Sequence, residues 1–309
     1  MQKILVTGGA GFIGSSLAER LILDPENFVV IVDNLTTGTK DRLPFSKNKN
    51  WHFIKADVNR FNDISAIMIS YQFDYVFHYA AVVGVQRTLQ NPVLVLDDII
   101  GIRNILDLAK NTGVKCVYYS SSSEVYGEPV EFPQNEETTP LNSRLPYAVV
   151  KNVGESFLKS YHREYGLNFT IFRFFNTYGP KQSNDFVVSK FIRAALADKE
   201  IVVYGDGKQK RTFLYIEDNL DSCVTIFEKR KYRNEVINIG HEEEISILDL
   251  AKTVIKLAKS KSKIVHHPPL KEGDMIRRLP DNSRMKALIN RPLYTLEEGI
   301  QKILPAKNF

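Results

Sequence analysis

Continuous apolar runs alternate with segments of helical periodicity through the first half of the chain. The runs are rich in β-branched and aromatic residues, which is typical of strands covered on both faces. We place these strands at residues 3–7, 28–33, 52–56, 75–79, 115–120 and 169–174. Apolar residues recur at helical spacing between them, at residues 62–70, 92–111 and 147–165. This alternation predicts βα units and an α/β fold with a doubly wound parallel sheet.

Beyond about residue 177 the pattern changes to short strands, turns rich in Gly, Pro and Asp, and two helices with their own start signals. Ser246-Ile-Leu-Asp249 and Thr295-Leu-Glu-Glu298 both fit a capping box. We therefore predict a first domain over residues 1–176, with a returning segment at about 212–239. A smaller C-terminal α/β lobe would occupy most of residues 177–309.

The composition excludes several classes of protein. The 309 residues are 43% hydrophobic and 25% charged, with a net charge of +5, as in ordinary globular proteins. The basic residues are not organised with aromatic residues or a known motif, so we expect no binding to nucleic acid. No segment approaches the roughly 18 to 20 apolar residues of a membrane span, and the N-terminus leads directly into a strand. We therefore expect a cytoplasmic protein without membrane contact.

The cysteines and histidines give no sign of a metal centre. Cys116 and Cys223 lie singly in apolar stretches, and the histidines form no cluster with the spacing of a zinc site. We interpret both cysteines as packing residues and expect neither a disulfide framework nor a bound metal.

A glycine-rich turn follows the first predicted strand. Gly8, Gly11 and Gly14 are spaced three apart, and apolar residues at helical spacing begin at Phe12 and Ile13. Amide groups at a helix N-terminus attract phosphate, and glycines allow a pyrophosphate to approach the backbone closely. A glycine turn alone also occurs where a helix simply packs on a strand, so this turn needs a second signal.

Asp33 supplies that second signal. It ends the second predicted strand, 19 residues after Gly14, where an acidic side chain accepts hydrogen bonds from the ribose hydroxyls of a bound dinucleotide. A 2′-phosphate would be repelled there, which favours NAD over NADP. The strand, the glycines, the helix and Asp33 together predict a Rossmann-type NAD site.

Tyr147 and Lys151 are four residues apart, so both side chains leave one face of a predicted helix. Residues 120–123 are serines at the end of the fifth strand, the edge of an open α/β sheet where ligands bind. A tyrosine with a pKa near 10 is a poor base at neutral pH. Lowering its pKa to about 7 requires roughly 4 kcal/mol of preferential stabilisation of the phenolate, which a nearby ammonium and a cationic nicotinamide could supply.

With these motifs the chain resembles the extended short-chain dehydrogenase/reductase family, specifically its nucleotide-sugar epimerases, dehydratases and decarboxylases. The motifs that carry the resemblance span most of the chain. They are Thr7-Gly-Gly-Ala-Gly-Phe-Ile-Gly14, Asp57-Val58, His78-Tyr-Ala-Ala81, Ser120-Ser-Ser-Ser-Glu-Val-Tyr-Gly127, Tyr147-x-x-x-Lys151, Arg173-Phe-Phe-Asn-Thr-Tyr-Gly-Pro180, Tyr204-Gly-Asp-Gly-Lys-Gln-Lys-Arg211 and Asn238-Ile-Gly240.

The resemblance implies a role for each group of matching residues. NAD would stay bound in the first domain, while the C-terminal lobe would mainly bind a nucleotide-diphosphate sugar, with a UDP-sugar favoured. The implied catalytic residues are Ser122, Ser123, Glu124, Tyr147 and Lys151. The implied cofactor-binding residues are Gly8, Gly11, Phe12, Ile13, Gly14, Asp33, Asn34, Asp57, Val58, Ala80, Ala81, Tyr147 and Lys151. The implied substrate-binding residues are Val83, Ser122, Ser123, Glu124, Asn176, Arg211 and Arg278.

Three reactions of the family remain open. Simple 4-epimerases need no acidic group after Ser122, and the Tyr-Ala-Val-Val-Lys sequence that begins at Tyr147 resembles theirs. Dehydratases carry an Asp-Glu pair where this chain has Ser123 and Glu124, and a serine hydroxyl is a far weaker acid than a carboxylic acid. UDP-glucuronate decarboxylases also carry Ser-Glu, and their oxidised intermediate is a β-keto acid. We favour decarboxylation, with epimerisation, dehydration and a non-catalytic NAD-binding scaffold as alternatives.

Two further expectations come from the resemblance. The family has an Asn-x-x-Gly-Thr helix, and this chain has Asp98 and Ile102 in place of its Asn and Thr. A homodimer joined through the helices near residues 92–111 and 147–165 is also implied.

Overall fold

The fold is described from a computed structural model. The structure describes residues 1–45, 49–269 and 277–305. The chain divides into two compact units, each built from several segments. The first unit comprises Met1–Gly127, Ser143–Arg173 and Cys223–Ile237, and the second comprises Glu128–Asn142, Phe174–Ser222 and Asn238–Phe309. Which unit binds cofactor and which binds sugar stays a prediction.

The first unit is built around a seven-stranded sheet. In spatial order its strands are β11 (Glu235–Ile239), β6 (Phe169–Phe174), β5 (Cys116–Ser122), β4 (Tyr75–His78), β1 (Gln2–Thr7), β2 (Asn27–Asp33) and β3 (Trp51–Lys55). Strand β1 pairs in parallel with both β2 and β4, and β2–β3 and β4–β5 are parallel as well. The predicted doubly wound α/β fold is confirmed.

The strand order reverses between β1 and β4, and this reversal positions the candidate site. Thr7 at the end of β1 pairs with His78 at the end of β4. In open α/β sheets, ligands bind beside the carboxyl ends of the strands at such a reversal. The residues of β1 and β2 that face the core, including Ile4 and Val30, are fully buried, because helices cover both faces of the sheet.

The helices of the first unit follow the predicted order with two differences, namely a short helix that was not predicted (α3) and a break in one that was. They are α1 (Phe12–Leu21), α2 (Phe61–Tyr71), α3 (Val85–Gln90), α4 (Pro92–Leu96), α5 (Asp98–Thr112) and α6 (Pro146–Tyr165). The single helix predicted over residues 92–111 is wrong, because the structure breaks it at Asp97. There the Asp97 carbonyl accepts from the amide of Ile100 at 2.9 Å, a tighter turn than that of an α-helix.

The second unit contains short strands and helices, and helix α8 has residues in both units. These elements are β7 (Thr177–Tyr178), α7 (Val187–Leu196), β8 (Ile201–Tyr204), β9 (Lys210–Thr212), β10 (Leu214–Tyr215), α8 (Ile216–Lys229), β12 (Glu244–Ser246), α9 (Ile247–Ala258), β13 (Ile264–His267), α10 (Ser283–Lys286) and α11 (Leu296–Ile303). The short strands form two-stranded pairs: β7 with β10, β9 with β12, and β8 with β13.

Only one of the two predicted capping boxes is complete. At α11 the Thr295 hydroxyl accepts from the Glu298 amide, and the Glu298 carboxylate accepts from the Thr295 amide. At α9 the Ser246 hydroxyl accepts from the Asp249 amide, but the Asp249 carboxylate contacts the Ser246 hydroxyl instead of its amide. At Ser246 the first hydrogen bond of the predicted capping box is present and the second, to the Ser246 amide, is absent. The aspartate side chain is one methylene shorter than that of glutamate.

A buried ion pair joins α6 to β5 and β6. Arg173 donates to both oxygens of the Glu155 carboxylate, at 3.0 and 2.7 Å, and the two side chains are 2% and 1% exposed. The Ser121 hydroxyl donates to Glu155 at 2.6 Å, and Arg173 also donates to the Tyr126 hydroxyl at 2.8 Å. Each charge is therefore paired and hydrogen-bonded, which a buried ion pair requires.

His78 is buried where β1 and β4 end. Its Nδ1 lies 2.8 Å from the Thr7 hydroxyl, and the ring is 2% exposed. The same hydroxyl accepts from the amides of Tyr79 and Ala80, both at 3.2 Å. Burial, with a smaller effect of the Lys151 charge, lowers the pKa of His78 to about 3. The ring is therefore neutral in the folded protein at ordinary pH.

Both cysteines are buried free thiols, as predicted for packing residues. Cys223 accepts from the Tyr79 hydroxyl at 3.7 Å, and Cys116 lies in β5. Among the described residues there is no group of three or more His, Cys, Asp or Glu side chains that could hold a metal. Within the same ranges, no helix is both long and apolar enough to cross a membrane.

We predict that Glu155→Gln will lower the free energy of unfolding by about 3–5 kcal/mol, because it leaves the buried Arg173 charge uncompensated. Chemical denaturation measures this loss. The control is Lys252→Ala, which breaks an exposed pair with Asp249 and should cost less than about 1 kcal/mol. Equal losses in the two variants would contradict the role given to Glu155.

We also predict that His78 makes the protein sensitive to acid. Between pH 6.5 and about 3 the unfolded state binds a proton that the folded state does not, so stability falls as the pH falls through this window. In His78→Asn, the loss of stability between pH 6.5 and pH 5 should be smaller by about 1–2 kcal/mol. Denaturation at the two pH values tests this, with the exposed His267→Asn as control. An unchanged slope in His78→Asn would show that this imidazole does not control the acid response.

Candidate active site

The glycine turn packs tightly against the loop that follows β4. Gly8 has a φ of +68°, and a side chain there would place its Cβ 2.6 Å from the Ala80 amide nitrogen. A Cβ at Gly14 would lie 2.4 Å from the Gly8 carbonyl oxygen. Both positions therefore require glycine, one for its left-handed backbone and both for close approach.

Helix α1 begins at Phe12, within the glycine turn. Gly11 is the N-cap and provides no side chain to cap the helix. The amides of Phe12 and Ile13 belong to the first turn, whose N–H groups have no partner within the helix. The positive end of the helix dipole also attracts an anion, so the turn fits a dinucleotide pyrophosphate.

The carboxylate of Asp33 is held beside the glycine turn. It accepts from the amides of Ala10 at 3.0 Å and Leu35 at 2.8 Å. A carboxylate has about four acceptor positions, so two backbone donors leave room for ribose hydroxyls. A Cβ at Gly38 would lie 2.9 Å from both carboxylate oxygens. Gly38 belongs to no recognisable motif, because nothing in the local sequence shows that this loop folds back over Asp33.

Polar side chains continue along the same edge of the sheet. Asn34 donates to the Asp57 carboxylate at 3.2 Å, and Asp57 accepts from the Asn59 amide at 2.9 Å. The Asn59 side chain in turn donates to Asp98 at 3.5 Å. The predicted cofactor residues Asn34 and Asp57 are therefore brought together, next to the buried Val58.

The serine run at the end of β5 has divided roles. The strand extends to Ser122, two residues beyond the predicted end. Ser120 accepts from Lys151, and Ser121 donates to Glu155. The Ser122 hydroxyl accepts from the Glu124 amide at 3.2 Å and caps a 3-10 turn at Ser123–Tyr126. Ser122, Ser123 and Glu124 thus lie at the strand end where they were predicted.

Helix α6 presents Tyr147, Lys151 and Glu155 at successive turns of one face. The Lys151 ammonium lies 5.8 Å from the centre of the Tyr147 ring and donates to the Ser120 carbonyl at 2.6 Å. Burial lowers the pKa of Lys151 to about 8, and the charge of Asp98 acts in the opposite direction. Glu155 is one helical turn beyond Lys151 on this face, and its pairing with Arg173 and Ser121 gives it a structural role.

The predicted diphosphate ligands lie in the second unit. Asn176 donates to the Thr212 carbonyl at 3.3 Å, which places it beside the strand that carries Arg211. Arg211 is 9% exposed and Arg278 is 5% exposed. Arginine side chains are mostly exposed in proteins, so the burial of both guanidinium groups is unusual. Their predicted role in binding a diphosphate stays a prediction.

Comparison with known proteins places this geometry in a family. Residues 4–240 match the model of the NAD dependent epimerase/dehydratase family. The chain is 36% identical to UDP-N-acetyl-alpha-D-glucosaminuronate decarboxylase of Bacillus cytotoxicus, over 98% of this chain and 97% of the relative. It is 35% identical to UDP-glucuronic acid decarboxylase 6 of Arabidopsis thaliana, over 97% of this chain and 87% of the relative.

The structure is similar to that of UDP-glucose 4-epimerase from Thermotoga maritima, solved with UDP-glucose. The TM-score is 0.92 at 33% identity, covering 99% of this chain and 98% of the other. The predicted family and its NAD cofactor are confirmed. The family model covers residues 4–240, and the relatives are matched over almost the whole length of this chain, so this chain belongs to the NAD-dependent epimerase/dehydratase family.

Proposed function

We propose that this protein modifies a UDP-linked sugar by transient oxidation at C4, and that the reaction is decarboxylation of a UDP-hexuronate. The observation that carries the C4 chemistry is the placement of Tyr147 and Lys151 on the α6 face that packs against the serine end of β5. A phenol, an ammonium and a serine hydroxyl at one strand end suit the removal of a proton from a sugar hydroxyl.

The residues of the chain have separate tasks in this proposal. Ser122 and Tyr147 hold the 4-hydroxyl, and Tyr147 takes its proton as a phenolate. The Lys151 ammonium stabilises that phenolate. Gly8, Gly14 and the first turn of α1 would hold the pyrophosphate of NAD, which when bound would supply the acceptor and later the donor of the C4 hydride.

The turn after β5 supports decarboxylation as the step that follows oxidation. A C4 ketone in a hexuronate is a β-keto acid, which loses carbon dioxide without a dedicated acid. Ser123 is 3% exposed and offers only a hydroxyl where a dehydratase needs a carboxylic acid, so elimination of water is disfavoured. The Ser123-Glu124 sequence resembles that of decarboxylases, and two relatives bear that name.

A second candidate is 4-epimerisation of a UDP-sugar. Ala148 and Val150, between Tyr147 and Lys151, are apolar and each 2% exposed, and their sequence resembles that of epimerases. A solved relative is a UDP-glucose 4-epimerase. Asn176, Arg211 and Arg278 would bind the diphosphate in either reaction, because a guanidinium suits paired phosphate oxygens.

We predict that purified protein incubated with UDP-hexuronates and neutral UDP-sugars will release carbon dioxide from a hexuronate. Mass spectrometry of the sugar nucleotide measures the loss, and an isomer of unchanged mass would favour epimerisation instead.

Tyr147→Phe should reduce turnover at least about 100-fold, because general-base catalysis contributes that much, while NAD remains bound.

The matched control for Tyr147→Phe is Tyr165→Phe, which alters an exposed tyrosine at the end of the same helix. It should keep full activity. An active Tyr147→Phe enzyme would refute the assignment of the base. Bound NAD without exchange of C4 hydrogen in any sugar nucleotide would instead indicate a non-catalytic NAD-binding scaffold.

We also propose that the protein is a homodimer joined through α4, α5 and α6. Apolar side chains are exposed along α4 and the start of α5: Val93 is 71% exposed, Leu94 and Leu96 are each 42% exposed, and Ile100 is 51% exposed. A cluster of this kind marks an interaction surface. The family resemblance favours a second copy of this chain as its occupant.

Ile100→Glu should therefore convert the dimer to a monomer, because it places a charge in the apolar surface. Light scattering coupled to size exclusion measures the mass. The control Ile69→Glu changes a residue of α2 that is 60% exposed and should leave the dimer intact. A wild-type monomer, or a dimer in Ile100→Glu, would contradict this interface.

A further inference from the structure

Lys151 carries a buried ammonium whose hydrogen bonds go to uncharged groups. Its side chain is 3% exposed, and it donates to the carbonyl and the hydroxyl of Ser120, at 2.6 and 3.3 Å. Within the described ranges the ammonium forms no ion pair. A buried charge without a paired countercharge is costly, so the remaining contacts of this ammonium determine how firmly it keeps its charge.

The ring of Tyr119 is one of these contacts. The ammonium lies over this ring, 5.0 Å from its centre, and over the ring of Tyr147 at 5.8 Å. The face of an aromatic ring attracts a cation within about 6 Å of its centre, and the attraction is stronger where water is excluded. Tyr119 is 1% exposed, so water does not weaken its contact with Lys151.

Neighbouring elements hold the Tyr119 ring in place. Tyr119 in β5 pairs with His78 in β4, and their rings are stacked with centres 6.0 Å apart. The far end of the ring approaches α6 at Gly154, where a Cβ would lie 2.5 Å from the Tyr119 Cζ and closer still to the hydroxyl oxygen. Gly154 is three residues after Lys151 and therefore on the same face of the helix. Glycine at this position lets α6 lie close enough to β5 for the ammonium to reach over the ring.

The hydroxyl of Tyr119 does not explain its presence in the core. It is buried, and it has no hydrogen-bond partner in the part of the chain that the structure describes. A buried polar group without a partner is destabilising. Burial also raises the pKa of this phenol well above its usual value, so it carries no charge. What Tyr119 offers to Lys151 is therefore its aromatic face.

The other ionisable groups on the surrounding elements do not replace this contact. His78 of β4 is neutral, because burial lowers its pKa to about 3. Glu155 of α6 is bound through both oxygens to Arg173. Asp98 of α5 favours the charge of Lys151, but no hydrogen bond or ion pair joins these two side chains within the described residues. The aromatic rings are therefore in direct contact with the ammonium, whereas this carboxylate is not.

We infer that Tyr119 is a positioning residue that acts through Lys151: its ring face holds the ammonium at the end of β5 and stabilises its charge. This contact needs no substrate. Its effect on catalysis rests on the proposed function, in which the Lys151 charge stabilises a Tyr147 phenolate.

The variants Tyr119→Leu and Tyr119→Phe separate the ring from the hydroxyl. NMR titration of the lysine side chains, in protein saturated with NAD, gives the midpoint of Lys151, whose signal is the one lost in Lys151→Met. We expect this midpoint to move toward acid by about one pH unit in Tyr119→Leu, because the cation loses the ring face. It should stay unchanged in Tyr119→Phe, which keeps that face.

The matched control is Tyr118→Leu. Tyr118 precedes Tyr119 in β5, is 2% exposed, and stacks on Phe77 at 4.5 Å. Successive side chains of a strand point to opposite faces of the sheet, so this variant removes an equally buried tyrosine away from Lys151. It should lower stability and leave the Lys151 midpoint unchanged. Equal shifts in Tyr118→Leu and Tyr119→Leu would attribute the effect to a loosened strand and would overturn the inference.

Fluorinated phenylalanines incorporated at position 119 provide a test that keeps the shape of the ring. Fluorine withdraws electron density from the ring face and so weakens its attraction for a cation. The Lys151 midpoint should therefore move stepwise toward acid as fluorines are added to the phenylalanine ring. This series decides the question even where Tyr119→Leu fails to fold.

Enzyme kinetics supply a further readout, which a general loss of structure would not produce. Turnover should fall at high pH where Lys151 loses its proton. In Tyr119→Leu this fall in kcat should begin at a lower pH, displaced by the same amount as the NMR midpoint. KM should change little, because Tyr119 is buried. Tyr119→Phe should retain the wild-type pH profile.

A Lys151 midpoint that stays unchanged or moves toward base in Tyr119→Leu would overturn the inference, and so would a fluorinated series without a trend. A midpoint that moves toward acid in a protein that converts no sugar nucleotide would support the ring contact and refute the proposed function.

Discussion

The buried ion pair between Glu155 and Arg173 holds α6 against the end of β5. Glu155 is two helical turns after Tyr147, and the same carboxylate accepts from Ser121, the residue before Ser122. In the proposed function, Tyr147 on a helix and Ser122 on a strand meet one substrate atom, which requires the two elements to keep their relative positions. The ion pair fixes those positions without using the side chains of Tyr147 and Ser122.

The polar residues at the carboxyl edge of the sheet fall into two groups. The hydroxyl groups of the first group form hydrogen bonds within the protein. Thr7 orients His78, Ser120 orients Lys151, and Ser121 orients Glu155. The α1 amides instead lie at a helix end that no side chain caps. The first group is rigid because its donors and acceptors are satisfied internally, and the second group is suited to an anion because its donors are not capped.

Much of this arrangement could be predicted from local sequence. The glycine turn, the strand that ends at Asp33 and the helical spacing of Tyr147 and Lys151 are each defined by residues close together in the chain. The pairing of Glu155 with Arg173 could not be predicted in this way, because it joins two separate elements. The break at Asp97 could not be predicted either, because apolar residues continue at helical spacing across it although the backbone forms a tighter turn there.

The loop that folds over Asp33 links cofactor preference to the shape of the turn. The Asp33 carboxylate accepts from the amides of Ala10 and Leu35. A side chain at position 38 would collide with this carboxylate, so the position requires glycine. Replacing Asp33 to admit a 2′-phosphate would therefore also unpair two backbone donors. The carboxylate that is predicted to repel a 2′-phosphate is therefore at the same time a structural component of this loop.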